Sequence, residues 1–306
     1  MIDFVKNRKI YLAISAILLL VIIVSSVVLG ARLDIQFKGG AILKYNYSGE
    51  LDKGQFQTTI ESVLGEKVTI QETKDAITGS NSYTVTLAAE KGIPSEKQME
   101  LSSAIESAYG GQVEQVSSSV VDPTIGKEFF AKSLIAVAVA AIIMIVYIAI
   151  RFKILSGWSA GVFAVVALLH DVIIIYGTFI ICRMTINDNF IAVILTILGY
   201  SLNDTIVIYD RIRENKRRFG GEKPLDEIVN MSINQSLFRT ICTTATTVAA
   251  LAVIAIVALI FHVDSILSFA FPLIIGMISG VYSSVCLSGP LWVLWQDHKA
   301  KKIAKA

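Results

Sequence analysis

Asp204 interrupts the stretch FIAVILTILGYSLNDTIVIY (residues 190–209), which is long and apolar enough to cross a lipid bilayer. A carboxylate at bilayer depth costs at least a few kcal/mol, so it marks a functional site turned toward a protein interior. The chemistry open to it there is proton exchange. A low dielectric penalises the charged form of a carboxylate and a neighbouring guanidinium favours it, so small relative movements can switch protonation.

Two other apolar runs carry groups that could take part. His170 and Asp171 stand near the middle of one, VFAVVALLHDVIIIYGTF, and Arg239 leads into another through Thr240, Thr243, Thr244, Thr246 and Thr247. Helical spacing puts Ser201, Asp204 and Ile208 on one face, with Arg211 two turns beyond Asp204, and makes Arg239, Thr243 and Thr246 a second stripe. The two segments are joined on one side, which allows Asp204 and Arg239 to meet. A proton entering from outside would then neutralise Asp204, free Arg239 and alter the helix packing. The candidate proton-coupling set is Asp204, Arg239, Asp171, His170, Asn203 and Thr243. The driving force is adequate: about 2.3 kcal/mol per charge per 100 mV, plus about 1.4 kcal/mol per pH unit. Simpler roles stand beside these: a fixed Asp–Arg pair that specifies helix packing, a hydrogen-bonded packing histidine, and threonines bonded back to their own helix.

The elements that must position these groups follow from composition. The 306 residues are 54% hydrophobic and 17% charged, with mean hydropathy +0.65, which places the chain in the polytopic membrane class. Six runs can span a bilayer, at about residues 10–29, 130–150, 154–181, 190–209, 241–261 and 266–295. The last is overlong and should tilt or leave the hydrocarbon. The first is too long for a signal-peptide core and lacks a clear cleavage site, so it reads as an anchor. Alternate connections hold Lys6, Arg8 and Lys9; Arg151 and Lys153; the group from Arg211 to Arg239; and Lys299, Lys301, Lys302 and Lys305. The short opposite connections contribute only Arg183, so both termini are expected in the cytoplasm. Cys182, Cys242 and Cys286 have no metal spacing and read as small packing residues. Net charge is only +2 and gives no nucleic-acid signal.

This divides the chain into a tail and first helix (1–29), an outside domain (30–129), a five-helix membrane domain (130–298) and a basic tail (299–306). Residues 30–129 alternate in short runs: strands near 41–47, 67–73, 83–88 and 113–121, a turn at 78–81, and helices at 51–64 and 94–109. The order β-α-β-β-α-β is that of a ferredoxin-like, split βαβ domain. No nucleophile, metal cluster or phosphate loop occurs in it, and Gly39-Gly40 reads as a bend where the chain leaves the membrane. A domain without chemistry reads as a binding or lever module. Residues 210–238 read as a basic helix ending near Gly220-Gly221, then a second, amphipathic helix on the membrane surface after Pro224. Gly157 and Gly161, and Gly276 and Gly280, have the spacing of close helix contacts.

Five segments in order resemble the SecF branch of the SecD/SecF family: LDIQFKGGA (33–41), VDPTIGKE (121–128), His170-Asp171, GYSLNDTIVIYDRIREN (199–215) and SINQSLFRTICTT (232–244). Lys38 and Ala41 replace residues often seen in the first motif. The resemblance covers nearly the whole chain and implies half of a transporter of the RND superfamily. It further implies action with SecD and the SecYEG channel, completing polypeptide export with the proton motive force in the bacterial cytoplasmic membrane. YajC- or YidC-type proteins, unfolded exported polypeptide and membrane lipids are the other partners it implies, with no nucleic acid, no cofactor and no enzymatic activity. The family's functional Asp and Arg fall on Asp204 and Arg239. With no SecD-like segment present, the chain is expected to be the separate subunit. Two other readings stay open, an RND-type exporter of small molecules or lipids and a structural subunit that conducts no protons.

Overall fold

The computed structural model describes residues 2–74, 81–87, 94–121, 123–151, 157–261 and 263–303. The expected turn at Thr78-Gly79-Ser80, the end of the third strand at Ala88, Asp122 of the second motif, Lys153, the start of the third apolar run at 154–156 and Lys305 lie outside them. The chain divides into two compact units. One comprises Met1–Arg32, Ala136–Ala258 and Asp264–Ala306; the other Leu33–Ile135 with Leu259–Val263.

The second unit holds a four-stranded antiparallel sheet. In chain order come a short helix α2 (Ile35–Lys38), β1 (Gly40–Tyr47), α3 (Lys53–Leu64), β2 (Thr69–Lys74), β3 (Asn81–Leu87), α4 (Ser95–Tyr109) and β4 (Val113–Val121). The sheet order is β2-β3-β1-β4, with Ala41 opposite Leu87, Leu43 opposite Val85 and Tyr45 opposite Tyr83. Strand alternation turns Ala41, Leu43, Tyr45 and Tyr47 inward, onto Phe56, Ile60 and Leu64 of α3 and Leu101 and Ile105 of α4. Asp52 caps α3 by accepting from the Gln55 amide at 2.7 Å, and Gly65 closes it in the left-handed region. Asp34 caps α2 in the same way.

Gly39 and Gly40 do bend the chain, into β1. Gly40 adopts φ +138°, and a Cβ there would lie 2.3 Å from the Leu87 carbonyl oxygen, so only glycine fits beside β3. The Tyr45 hydroxyl is buried with no hydrogen-bond partner among the described residues, and burial pushes its phenol up to about 12. Because the folded value exceeds the unfolded value near 10, the stability Tyr45 contributes is complete below pH 10 and is lost as pH rises toward 12. Tyr45→Phe is expected to abolish this loss and to raise neutral-pH stability by about 1 kcal/mol by removing an unsatisfied hydroxyl. Thermal melts at pH 8 and pH 11 check both; equal alkaline losses in the two proteins would count against it.

The first unit is helical. It holds α1 (Arg8–Leu29), the membrane part of α5 (Pro123–Arg151), α6 (Gly157–Ile181), α7 (Asp188–Phe219), α8 (Leu225–Ile260), α9 (Asp264–Tyr282), a π-helical turn (Ser283–Ser288) and α10 (Gly289–Ile303). Among the described residues six helical stretches are long and apolar enough to cross a membrane, the last being Ser265–Lys302 through α9, the π turn and α10. The protein is thus a multi-pass helical membrane protein. The overlong final run contains Pro272 within α9 and the π turn beyond it, both of which can redirect a helix.

Within residues 210–238 the basic helix does end beside Gly220-Gly221, as the last turns of α7, and a second helix does start after Pro224, as the first turns of the 36-residue α8. The expected place of that second helix on the membrane surface is what differs. The apolar face Ile228, Val229 and Ile233 is buried against protein rather than laid on lipid, with Val229 and Ile233 packed beside Gly289. Asn215 donates to Ser232 Oγ and Gln235 Oε1, and Arg211 Nε donates to Gln235 Oε1, tying the two arms together. The N-terminal segment straps the same arm. The Asn234 side chain takes both backbone groups of Ile2, at 3.0 and 2.8 Å, and Asn230 accepts from the Phe4 amide at 2.8 Å. Phe4 and Val5 are buried. Of the cysteines, Cys286 is half-buried while Cys182 and Cys242 are exposed rather than packed within the protein, all three as free thiols.

Candidate functional site

The polar groups of the helical unit converge where α6, α7 and α9 pack. Small residues on α9 make the approach possible: a Cβ on Gly276 would press on Ile197 and Ile175, and one on Gly280 would sit 3.1 Å from Ser201 Cβ. Gly280→Leu is therefore expected to separate α9 from α7 and destabilise the unit by about 1–3 kcal/mol. The melting temperature in detergent checks it, and an unchanged value would contradict the packing described.

Asp171 is completely buried at the centre of this seam. Its Oδ1 accepts from Ser279 Oγ at 2.6 Å. Its Oδ2 accepts from Ser201 Oγ and Ser283 Oγ, both at 2.7 Å. These donors come from α9, α7 and the π turn, so one carboxylate gathers three elements. His170 Nδ1 lies 3.5 Å from Asp171 Oδ1, its ring is 5.8 Å from that of Tyr282, and its Nε2 is buried without a partner among the described residues. The seam continues through Ser284, whose Oγ contacts Thr205 Oγ1 at 2.9 Å and donates to the Ser201 carbonyl at 3.2 Å. At its far end Ser288 donates to Tyr209 Oη at 3.2 Å. The wider π turn directs Ser283, Ser284 and Ser288 inward together.

Asp204 lies on the same buried face of α7, one turn beyond Ser201, and is 3% exposed. Its condition is the opposite of Asp171's, because Oδ2 is buried without any hydrogen-bond partner among the described residues. Arg239 stands near enough for its charge to act on Asp204, but no ion pair joins them among the described residues, and Arg239 is exposed. The expected direct pair is thus a separated one. Thr240, one residue on, also has a buried hydroxyl without a partner among the described residues.

The remaining candidates lie apart from this centre. Asn203 is exposed, because a helix turns adjacent residues about 100° apart and Asp204 takes the buried direction. Thr243 is exposed and bonds back to the carbonyls of Arg239 and Thr240, as Thr246 does to Cys242 and Thr243. The polar link from this stripe to α7 runs instead through Thr244, which accepts from Tyr200 Oη at 3.2 Å. Ser279 and Ser283 hold Asp171, and Ser284 continues the seam to Thr205, although none of the three stands out in the sequence. Their signal was the spacing of Ser279 and Ser283, one turn apart in an apolar run and in step with Gly276 and Gly280. No group of three His, Cys, Asp or Glu comes together among the described residues to hold a metal ion.

Residues 101–298 match the family model described as protein export membrane protein SecD/SecF, C-terminal. The chain is 33% identical over 294 residues to the protein translocase subunit SecF of Sebaldella termitidis, covering 96% of this chain and 92% of that one. It is 35% identical over 304 residues to the SecF of Desulfurispirillum indicum, covering 97% and 92%. Against the protein translocase subunit SecDF of Bacillus subtilis it is 33% identical over 98% of its own length but only 39% of the relative's. Among solved structures, a SecDF described as translocon-associated, from Thermus thermophilus, superposes with TM-score 0.78 at 27% identity, over 97% of this chain and 39% of that one. A SecDF in a super-membrane-facing form gives 0.68 at 29% identity, over all of this chain and 40% of that one.

Proposed function

The chain belongs to the SecD/SecF family of protein-export membrane proteins, and on that premise we propose that it is the SecF-type accessory subunit of the Sec export machinery, using the proton motive force to complete polypeptide translocation. Relatives in which the corresponding segment is fused into a longer SecDF chain support SecD as the partner that supplies the other half. SecYEG is the channel served, in the bacterial cytoplasmic membrane, with both termini cytoplasmic. The β-α-β-β-α-β unit, with sheet order β2-β3-β1-β4, is a ferredoxin-like domain outside the membrane that grips emerging polypeptide.

One observation carries the proton role: Asp204 is buried in a membrane helix with an oxygen that no described residue satisfies. A buried acceptor left unmatched is costly, and taking up a proton removes the charge that makes it so. Arg239 acts on the charged state from a distance, so proton uptake at Asp204 releases that attraction and lets the α8 arm move. Asp171 has a different part. Its oxygens are filled by three serine hydroxyls, which suits an anchor that holds α6, α7 and α9 while α8 moves.

The test is late translocation in vesicles containing SecD and SecYEG, with a proton gradient imposed after the motor step. The gradient is expected to accelerate completion only when this chain is present. Equal acceleration in its absence would overturn the assignment.

A further inference from the structure

Where α7 and α8 leave the membrane, their arms flank an open cavity of about 610 Å³, within the size range of small-ligand sites. Its wall carries Arg211, Arg213, Arg217, Arg218 and Arg239, against the carboxylates Asp210 and Glu214. Those two carboxylates are already shared. Asp210 meets Arg151 and Arg213 at 3.0 and 2.8 Å, and Glu214 meets Arg211 and Arg218 at 2.5 and 2.9 Å. Arg217 and Arg239 form no ion pair among the described residues, Arg239 acting on Asp204 only from a distance. The cavity wall therefore carries guanidinium in excess of its two carboxylates.

Guanidinium groups converging on one space match the oxygens of a phosphate, which they bind through paired N–H donors. The apolar surroundings define the remainder of the ligand. Val207 lines the cavity on its membrane side. On α8, Phe238 is 80% exposed and Ile241 48% exposed, on either side of Arg239 along the chain. A soluble phosphate would make no use of these side chains, whereas a lipid would lay acyl chains on them with its headgroup among the arginines. The depth agrees, because the cavity begins at Val207, where the apolar run of α7 gives way to charge.

We propose that this cavity is a binding site for the phosphodiester headgroup of an anionic phospholipid, with Arg217 as a headgroup ligand and Phe238 as an acyl-chain contact. The site shares Arg239 with the proposed coupling at Asp204, but its headgroup ligand Arg217 and acyl contact Phe238 lie outside that pair, so lipid retention and proton coupling can fail separately. An anion seated there would complete the charge balance of the two arms and hold them at a fixed separation.

The test uses the purified chain in mild detergent, titrated with phosphatidylglycerol, phosphatidylcholine or inorganic phosphate, and read by native mass spectrometry. Phosphatidylglycerol is expected to stay bound where phosphatidylcholine does not. Arg217→Gln should weaken its retention about fivefold, the effect of one guanidinium near an anionic headgroup. Phe238→Ser should weaken it too, and Lys301→Gln, outside the cavity, should leave it unchanged. Equal retention of the two lipids, or full retention by Arg217→Gln, overturns the site. Displacement of the lipid by inorganic phosphate at matched concentration, with Phe238→Ser without effect, overturns the lipid assignment in favour of a free-phosphate site.

Discussion

Asp204→Asn is expected to reduce gradient-driven export to the rate seen without a gradient, while the protein continues to fold and to assemble with its partner. The substitution keeps the side-chain shape and removes the titratable group. Asp204 Oδ2 accepts no hydrogen bond from the described residues, so little native bonding is lost and stability should change by no more than about 1 kcal/mol. The functional loss is much larger. A potential of 100 mV and one pH unit together supply about 3.7 kcal/mol per proton, a factor of several hundred in a two-state population. Abolishing the protonation step forfeits that entire bias. Export by reconstituted vesicles with and without an imposed gradient is the measurement, with proton uptake followed in parallel. Wild-type acceleration in the Asp204→Asn vesicles would remove Asp204 from the mechanism.

Asp171→Ala is expected to give the contrary result, a loss of stability that precedes any loss of coupling. Three serine hydroxyls from three elements converge on the carboxylate, and each hydrogen bond to a charged group is worth about 1.5–3 kcal/mol. The hydroxyls recover part of this by bonding elsewhere, leaving a net destabilisation of about 3–5 kcal/mol, or a melting temperature lower by about 10 °C or more. Asp171→Asn retains one acceptor oxygen and should fall between wild type and Asp171→Ala. Melting in detergent, scored beside export per folded molecule, separates the two aspartates. An Asp171→Ala protein that melts as wild type but exports nothing would make Asp171 a proton carrier instead of an anchor.

Much of this architecture was legible in the residues. Hydropathy located six spans because lipid imposes a length that few other environments demand. Alternation located the strands because a sheet with one covered face repeats every two residues. Asp204 stood out because a charge in an apolar run has few explanations. Two features were harder to read. Asn203 and Asp204 are equally polar neighbours, and only the packing of α7 decides which one is buried. The serines around Asp171 are small, uncharged and common in membrane helices, so their convergence depends on three elements meeting in space. The amphipathic stretch after Pro224 misled for a related reason: an apolar stripe specifies that it must be covered, and lipid or protein can serve equally. Here α10 and the N-terminal strap are close at hand and provide the cover.

That strap has a consequence for biogenesis. The backbone of Ile2 and Phe4 is held by side chains at 234 and 230, more than two hundred positions later. A ribosome delivers Ile2 and Phe4 long before Asn230 and Asn234 exist, so these residues must wait, unseated, while four helices enter the bilayer. Closure of the bundle is thereby deferred until α8 has been synthesised, and a fusion placed directly before Ile2 would interfere with that last act of assembly.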